Sequence, residues 1–194
     1  MEKIPSHPDP SRELEQYSTP ASIAADILFT ALANGHITEK VIADLGCGTG
    51  IFAIGSAFLK AEKVKAVDVD EKAIEVAREE ARIWSVSETI EFEAKDVKEF
   101  HSEVQTVIMN PPFGSQKKGA DIPFLETAFD VGEIVYSLHN AKTIDFLERF
   151  INKNGHSIFW EKRYMFEIHN LFKHHEKEKE DFEVILLGIN IERE

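Results

Sequence analysis

The 194-residue chain is poor in cysteine, has no long apolar run and is short of positive charge. Its one cysteine, Cys47, excludes an intramolecular disulfide and a zinc site built on cysteines within this chain. No apolar stretch approaches the roughly 20 residues of a membrane-spanning helix. The first residues, MEKIPSHPDPSRELEQY, lack the cationic start and apolar run of a signal peptide. We therefore expect a cytoplasmic protein with a reduced thiol and no membrane partner.

The chain carries 22 Lys+Arg against 35 Asp+Glu, which gives a net charge of −13. This acidic balance argues mildly against a protein that binds nucleic acid through its net charge alone. Its 43% hydrophobic residues, 14 Phe among them, suffice for a core. The length predicts one domain over residues 1–194. Within it, residues 1–12 hold three of the seven prolines and are expected to form a flexible arm, followed by an N-terminal segment and helix over 13–35.

Strand and helix patterns alternate along the chain, which predicts a single Rossmann-like α/β domain. The expected sheet has seven mostly parallel strands, helices on both faces and an antiparallel C-terminal strand. A helix starts at Pro20, with Ser18 or Thr19 as its N-cap, and ends near Gly35. The other predicted helices cover 51–60, 71–83, 122–130 and 141–152. The predicted strands cover 41–45, 64–68, 89–94, 104–109, 133–138, 155–160 and 182–191.

A glycine loop, DLGCGTG at 44–50, follows the first strand and opens a helix. Its G-x-G-x-G spacing matches neither the dinucleotide fingerprint nor a P-loop, so phosphate binding is not favoured. Glycines let the backbone approach a ligand, and the carboxyl edge of such a sheet is where ligands bind. Asp68 ends the second strand, where an acid can accept from ribose hydroxyls. The pattern resembles Rossmann-like methyltransferases that use S-adenosylmethionine.

Two further acids and the cysteine have both structural and ligand interpretations. Asp70 can cap the helix over 71–83 or contact a ligand. Asp96 can cap a short turn at 97–99 or accept from an adenine amino group. Cys47 fits a small buried residue in the loop better than a nucleophile, because no activating base is indicated. The expected cofactor set is Gln16, Tyr17, Thr19, Asp44, Gly46, Cys47, Gly48, Gly50, Asp68, Asp70, Asp96 and Asn110.

The sequence Asn110, Pro111, Pro112, Phe113 follows the fourth strand. Two prolines cannot continue a central strand, so the chain turns there and presents a stiff, acceptor-rich loop. The Asn110 side-chain oxygen and the Pro111 carbonyl can both accept from one planar NH2 group, and Phe113 offers a face for a flat base. This chemistry suits methyl transfer to an exocyclic amine, driven by positioning and electrostatics. The four residues are the predicted catalytic set.

The two loops together resemble N6-adenine methyltransferases, whose motif is Asn/Asp-Pro-Pro-aromatic. LEQYSTP at 14–20, the glycine loop, VIMNPPFG at 107–114 and VYSLH at 135–139 narrow this to the methyltransferase-like protein 5 family. The resemblance covers roughly residues 12–192. It implies S-adenosylmethionine as cofactor and an adenine N6 of small-subunit ribosomal RNA as substrate. It also implies that Gln16, Tyr17 and Thr19 cover the cofactor, and that a small zinc-binding activator subunit can stabilise the enzyme.

The family resemblance also implies a basic, aromatic segment near the C-terminus that suits RNA. Residues 153–179 hold six Lys+Arg and four Asp+Glu, so the segment is a modest basic island, and a solvated helix is the alternative interpretation. His139 can line the substrate pocket, or can face solvent or cap a turn. No metal site is expected. The predicted substrate set is Lys117, Lys118, His139, Phe172, Lys173 and His174.

Three alternative functions stay open. An amide is also a planar NH2, so N5-methylation of a protein glutamine is a rival, although such enzymes favour Tyr where this chain has Phe113. DNA adenine methylation would need a large target-reading domain that the sequence does not offer. A cofactor-binding ribosome-assembly scaffold is the third. An apolar edge at the third strand, formed by Trp84, Val86, Ile90 and Phe92, either docks an activator strand or packs into the core.

Overall fold

The computed structural model describes residues 4–5, 19–114, 118–168 and 180–193. In these ranges the helices are α1 Ala21–Ala33, α2 Ile51–Phe58, α3 Glu71–Ile83, α4 Ile122–Val131 and α5 Ile144–Lys153. The strands are β1 Val41–Leu45, β2 Lys63–Asp68, β3 Ile90–Ala94, β4 Thr106–Met109, β5 Ile134–Asn140, β6 Ser157–Ile168 and β7 Glu180–Asn190. Short 3-10 turns lie at Ser87–Thr89, Val97–Glu99 and Ala141–Thr143.

The seven strands form one sheet in the order β3-β2-β1-β4-β5-β7-β6. The first five pair in parallel, while β7 runs antiparallel to both β5 and β6. This confirms the predicted Rossmann-like sheet with its antiparallel C-terminal strand. The order reverses at β1 and β4, so the loops that follow these two strands flank the crevice where such sheets bind ligands.

The core lies on both faces of the sheet because alternate strand residues point to opposite sides. One buried cluster joins the strands to α1, α2 and α3, and the other joins them to α4 and α5. On β5, for example, Tyr136 and Leu138 belong to the first cluster and Val135 to the second. In the described residues, no helix has both the length and the apolar character needed to span a membrane.

Side-chain caps were predicted at the starts of α1 and α3, and the structure confirms only the second. The Asp70 side chain accepts from the backbone N–H of Lys72 and caps α3, whose bounds match the prediction. The predicted cap of α1 was wrong: Pro20 occupies the N-cap position and makes no side-chain cap bond. The Thr19 hydroxyl instead accepts from Asn110 across the sheet edge.

Two strands extend beyond their predicted C-terminal ends. Strand β5 continues to Asn140, which brings His139 inside the sheet. Strand β6 was predicted over 155–160 but runs to Ile168, because it pairs with β7 over its whole length. Two of its added residues, Lys162 and Tyr164, both contact the Asp26 carboxylate of α1, at 2.7 and 2.6 Å. The strand end is therefore tied to α1.

Candidate active site

The predicted cofactor and catalytic residues meet at the carboxyl edge of the parallel strands. Leu45, the last residue of β1, is in register with Val67 of β2 on one side and with Met109 of β4 on the other. The glycine loop therefore starts between Asp68 and Asn110, which directly follow those two partners. The topology thus brings together both motifs that the sequence analysis singled out.

Backbone hydrogen bonds hold the glycine loop against β2. The N–H groups of Gly46 and Cys47 both donate to the Val67 carbonyl at 2.9 Å. Gly46 has a φ of +72°, and a Cβ at this position would lie 3.0 Å from the ring of Phe124 in α4. A side chain would therefore be strained and would displace that ring. At Gly48 an added Cβ would meet nothing within 4 Å, which leaves open space beside the loop.

The Asp68 carboxylate also stabilises the loop. Its Oδ2 accepts from the N–H of Gly48 at 2.8 Å, and its Oδ1 accepts from the N–H of Asp70 at 2.9 Å. Asp70 and Asp96 both act as caps, accepting from Lys72 and Lys98. Their capping roles are confirmed, and ligand roles for the three acids stay predictions.

Two buried groups lie under the loop. Asp44 is 1% exposed; its Oδ2 accepts from the N–H of Ala53 in α2, and its Oδ1 has no hydrogen-bond partner in the described structure. Burial, with a smaller contribution from the charge of Asp68, raises the pKa of Asp44 to about 8. Burial likewise raises the pKa of the Cys47 thiol, which fits a small packed residue and not a reactive nucleophile.

Asn110 is oriented by Thr19, which lies just before α1. Its Nδ2 donates to the Thr19 hydroxyl at 2.9 Å, which fixes which way the amide points. Its Oδ1 is buried and has no hydrogen-bond partner in the described ranges. A buried acceptor without a donor is costly, so such an atom indicates a place where a ligand donor binds. The carbonyl oxygen is thus ready to accept from an N–H.

Phe113 is held by the last two strands. Its ring packs edge to face on Phe182 of β7, with centroids 5.4 Å apart, and on Phe166 of β6 at 6.0 Å. Phe166 is 2% exposed, whereas Phe113 is only partly buried. Pro111 is buried and Pro112 partly buried beside it. The predicted catalytic loop, residues 110–113, therefore packs on the β6 and β7 pair.

The predicted substrate residues divide into three groups. Lys118 is exposed in the turn before α4, close along the chain to the predicted catalytic loop. His139 is 1% exposed with both ring nitrogens near side-chain partners, so the solvent-facing alternative was wrong. Its lining of the substrate pocket stays a prediction. The remaining predicted site residues lie outside the described ranges; they are Gln16, Tyr17, Lys117, Phe172, Lys173 and His174.

Three residues near the site escaped the sequence analysis. Val69 lies between two aspartates at the end of β2 and is 59% exposed, an apolar surface beside the expected cofactor position. Phe124 faces Gly46 from α4. Asp121, directly before α4, bonds to His139. Val69 could have been recognised from the sequence, because it stands between Asp68 and Asp70. The positions of Phe124 and Asp121 become apparent only from the packing of α4.

The fold and the two loops define a class I, Rossmann-like methyltransferase. The family described as "Methyltransferase small domain" matches residues 20–130. The magnesium protoporphyrin IX methyltransferase ChlM of Synechocystis PCC 6803, solved with bound S-adenosylmethionine, shares the fold with a TM-score of 0.69 at 16% identity, covering 88% of this chain and 79% of that one. The class uses S-adenosylmethionine as its methyl donor.

Similarity over nearly the whole chain narrows the class further. The chain is 33% identical to the Danio rerio rRNA N(6)-adenosine-methyltransferase METTL5, covering 95% of this chain and 92% of that protein. It is 35% identical to protein MJ0284 of Methanocaldococcus jannaschii, covering 97% and 90%. The crystal structure of PH1948 from Pyrococcus horikoshii superposes with a TM-score of 0.91 at 38% identity, covering 97% and 93%. The chain therefore belongs to the METTL5 family of methyltransferases.

Proposed function

We propose that this protein transfers a methyl group from S-adenosylmethionine to the N6 atom of an adenine in small-subunit ribosomal RNA. The observation that supports the proposal is the orientation of Asn110. Its amide NH2 donates to Thr19, and its buried oxygen has no hydrogen-bond donor among the described residues. Relatives named as rRNA N(6)-adenosine-methyltransferases, from Danio rerio and Drosophila melanogaster, support the substrate class.

The Asn110 oxygen acts on the acceptor amine. An adenine amino group is planar because its lone pair is delocalised into the ring. Hydrogen bonds from its N–H groups to Asn110 and to the Pro111 carbonyl favour a more tetrahedral nitrogen and return electron density to it. As the new N–C bond forms, the nitrogen becomes cationic and then loses one of its protons to water. Positioning and electrostatics therefore suffice, without a strong general base.

The residues at the glycine loop fit the cofactor. Bound S-adenosylmethionine supplies a sulfonium methyl group and leaves as the neutral thioether S-adenosylhomocysteine. Asp68 would accept from the ribose hydroxyls, as its position at the end of β2 suggests. Val69 would pack its exposed side chain on the adenine ring of the cofactor. The open space beside Gly48 supports this fit, because a side chain there would fill it.

The substrate base must leave its stack to reach this loop. An exocyclic amine in paired nucleic acid is not accessible, so the target adenine is unpaired or flipped. Phe113, steadied by Phe166 and Phe182, would stack on the base. Lys118, exposed nearby, would contact phosphate. Contacts from Lys117 and the basic segment near residues 172–174 belong to the same proposal and lie outside the described residues.

Radiolabelled S-adenosylmethionine tests the proposal directly. The protein is incubated separately with unmodified small-subunit RNA, genomic DNA and a protein release-factor mixture. We expect label in the RNA alone. Label in protein would support glutamine methylation instead, and label in DNA would support a DNA enzyme. Cofactor binding without label in any substrate would support the scaffold function.

We also propose that a small zinc-binding activator subunit docks at the β3 edge. In the described sheet, β3 pairs only with β2, so its other side offers backbone groups to an added strand. Phe58 and Ile83 are 60% and 64% exposed, and the ring of Trp84 contacts Phe58 at 6.2 Å. Ile90 is 7% exposed, and Trp84, Val86 and Phe92 are partly buried and pack against the same core, which favours the core-packing interpretation for these four residues.

Paired surface variants test this docking site. Ile83→Glu should weaken co-purification with the activator and lower the melting temperature of the complex, because it buries a charge in the interface. Phe146→Glu is the matched control, because Phe146 is 47% exposed on α5, which packs in the other core cluster, and the variant adds the same charge. Equal retention of the activator by both variants would exclude the β3 edge as its binding site.

A further inference from the structure

A chain of buried polar side chains lies next to the catalytic loop. The Ser137 hydroxyl is 2.7 Å from Nε2 of His139, and Nδ1 of His139 is 3.2 Å from Oδ2 of Asp121. The three residues are 0%, 1% and 8% exposed. The geometry resembles a hydrolytic triad, but the burial of Ser137 leaves no path for a substrate to its hydroxyl. The group therefore needs another explanation.

Hydrogen-bond chemistry fixes the direction of this chain. An ionised Asp121 carboxylate can only accept, so Nδ1 of His139 carries the proton that it donates. Nε2 can then accept from the Ser137 hydroxyl, which completes the chain with every partner satisfied. Inside a protein such a satisfied network is rigid, and removal of one member leaves buried groups without partners. His139 is thus the central link.

The Asp121 side chain does not make the helix-capping hydrogen bond that its N-cap position allows. It occupies the N-cap position of α4, where aspartate ordinarily accepts from a backbone N–H of the first turn. Here it makes no side-chain cap bond, although its carbonyl accepts from Phe124 and Leu125. Its carboxylate turns instead to His139. The start of α4 is therefore fastened to β5 by a side chain that could have capped the helix.

Both ends of this hydrogen-bonded group, Ser137 and Asp121, lie beside elements of the active site. Ser137 is in register with Met109, the residue before Asn110. Asp121 begins the turn of α4 that carries Phe124 against Gly46 of the cofactor loop. We propose that His139 is a positioning residue, whose bonds to Ser137 and Asp121 hold the cofactor side of the site in register with the Asn110 side. This inference rests on the proposed methyl transfer and adds a residue to its machinery.

Four variants test the positioning role. His139→Leu removes both bonds, His139→Asn keeps a donor near Asp121, and Asp121→Asn keeps an acceptor near His139. Asn140→Ala is the matched control, because Asn140 ends the same strand and its side chain accepts only from Lys142 among the described bonds. The measurements are kcat and KM on RNA, the cofactor Kd, and hydrogen exchange of peptides 106–114 and 118–131.

We expect His139→Leu to lower kcat by about ten- to hundredfold, because small misplacements of reacting groups are costly. The RNA KM should change less than about threefold, since no direct contact with RNA is lost. His139→Asn and Asp121→Asn should recover part of kcat, and Asn140→Ala should match the wild type. If His139→Leu fails to fold, the two asparagine variants take its place, with intermediate kcat expected for each.

Two results would overturn the inference: kcat within twofold of wild type in folded His139→Asn and Asp121→Asn, or a rise in RNA KM alone. Hydrogen exchange separates this failure from failure of the proposed function. If the wild type methylates no RNA, faster exchange over 106–114 and 118–131 in His139 variants, but not in Asn140→Ala, still supports positioning. Unchanged exchange in both peptides would contradict it whatever the substrate.

Discussion

The donor loop, residues 44–50, and the acceptor loop, residues 110–114, end neighbouring strands but are stabilised in different ways. The donor loop is held by groups close to it in the sheet, chiefly Val67 and Asp68 of β2. The acceptor loop is held by distant groups: Thr19, which lies 91 residues earlier, and the rings of Phe166 and Phe182. The donor loop is thus hydrogen-bonded mainly to the neighbouring strand β2, whereas the acceptor loop depends on residues far from it along the chain.

This difference has a functional consequence. The donor loop is preorganised before its ligand binds, because backbone bonds fix its turns. In the acceptor loop the buried Asn110 oxygen has no partner among the described residues, and in the proposed mechanism the substrate supplies its donor. Changes in the donor loop should therefore appear in cofactor affinity, whereas changes in the acceptor loop should appear in turnover.

The largest expected effect comes from Asn110→Ala. Loss of the oxygen that accepts from the amine should lower kcat by about a hundredfold or more. The cofactor Kd should stay within about threefold of wild type, because the donor loop keeps its own bonds. Single-turnover methylation and calorimetric cofactor binding measure the two quantities, with Asn140→Ala as control. Undiminished turnover would remove Asn110 from the mechanism.

Gly46→Ala should break the donor side instead. The φ of +72° strains any other residue, and the new Cβ would press on Phe124 at 3.0 Å. We expect the cofactor Kd to rise by about tenfold, corresponding to about 1.4 kcal/mol, while kcat at saturating cofactor falls less. Gly35→Ala is a matched control, since Gly35 has a φ of +77° but no atom within 4 Å of an added Cβ. Equal behaviour of both variants would contradict a specific effect at Gly46.

A smaller loss is expected for Thr19→Val, which keeps the shape and removes the hydroxyl that accepts from Asn110. One hydrogen bond contributes about 1 kcal/mol, so kcat should fall about fivefold. Thr38→Val is the control, because the Thr38 hydroxyl donates to the Leu59 carbonyl away from the site. A change confined to cofactor Kd would mean that Thr19 serves the donor side, as the sequence analysis expected.

The last expected effect concerns stability and not catalysis: it is the pH dependence of unfolding caused by Asp44. Its pKa is about 8 in the folded protein and ordinary, 3.8, in the unfolded chain. At pH values between these two, the folded state therefore holds a proton that the unfolded chain has released. The stability this provides is complete below about pH 4 and is lost as the pH rises towards 8. Asp44→Asn cannot titrate. As the pH rises, its free energy of unfolding relative to that of the wild type should therefore increase by up to about 1.4 kcal/mol per pH unit.

Chemical denaturation at several pH values between about 5 and 7.5 measures this gain. Asp145→Asn, an exposed position in the first turn of α5, provides the control. Parallel pH curves for wild type and Asp44→Asn would show that Asp44 does not carry the proton.

The same contrast explains what the sequence could predict. The order of the elements, the donor loop and the cap at Asp70 follow from short-range signals of glycine, strand and cap residues. The N-cap interpretation of Thr19 was wrong because its hydroxyl bonds to Asn110 across the sheet edge, which no local pattern reveals. The extent of β6 was missed because its charged residues do not alternate with apolar ones, and only pairing with β7 makes them a strand.

The most direct test of the central claim is the chemical identity of the methylated product. Unmodified small-subunit RNA is treated with wild type and, separately, with Asn110→Ala, then digested to nucleosides and analysed by mass spectrometry against synthetic standards. We expect N6-methyladenosine from the wild type and almost none from Asn110→Ala. A methyl group on another atom or base, or equal N6-methyladenosine from both proteins, would contradict the claim.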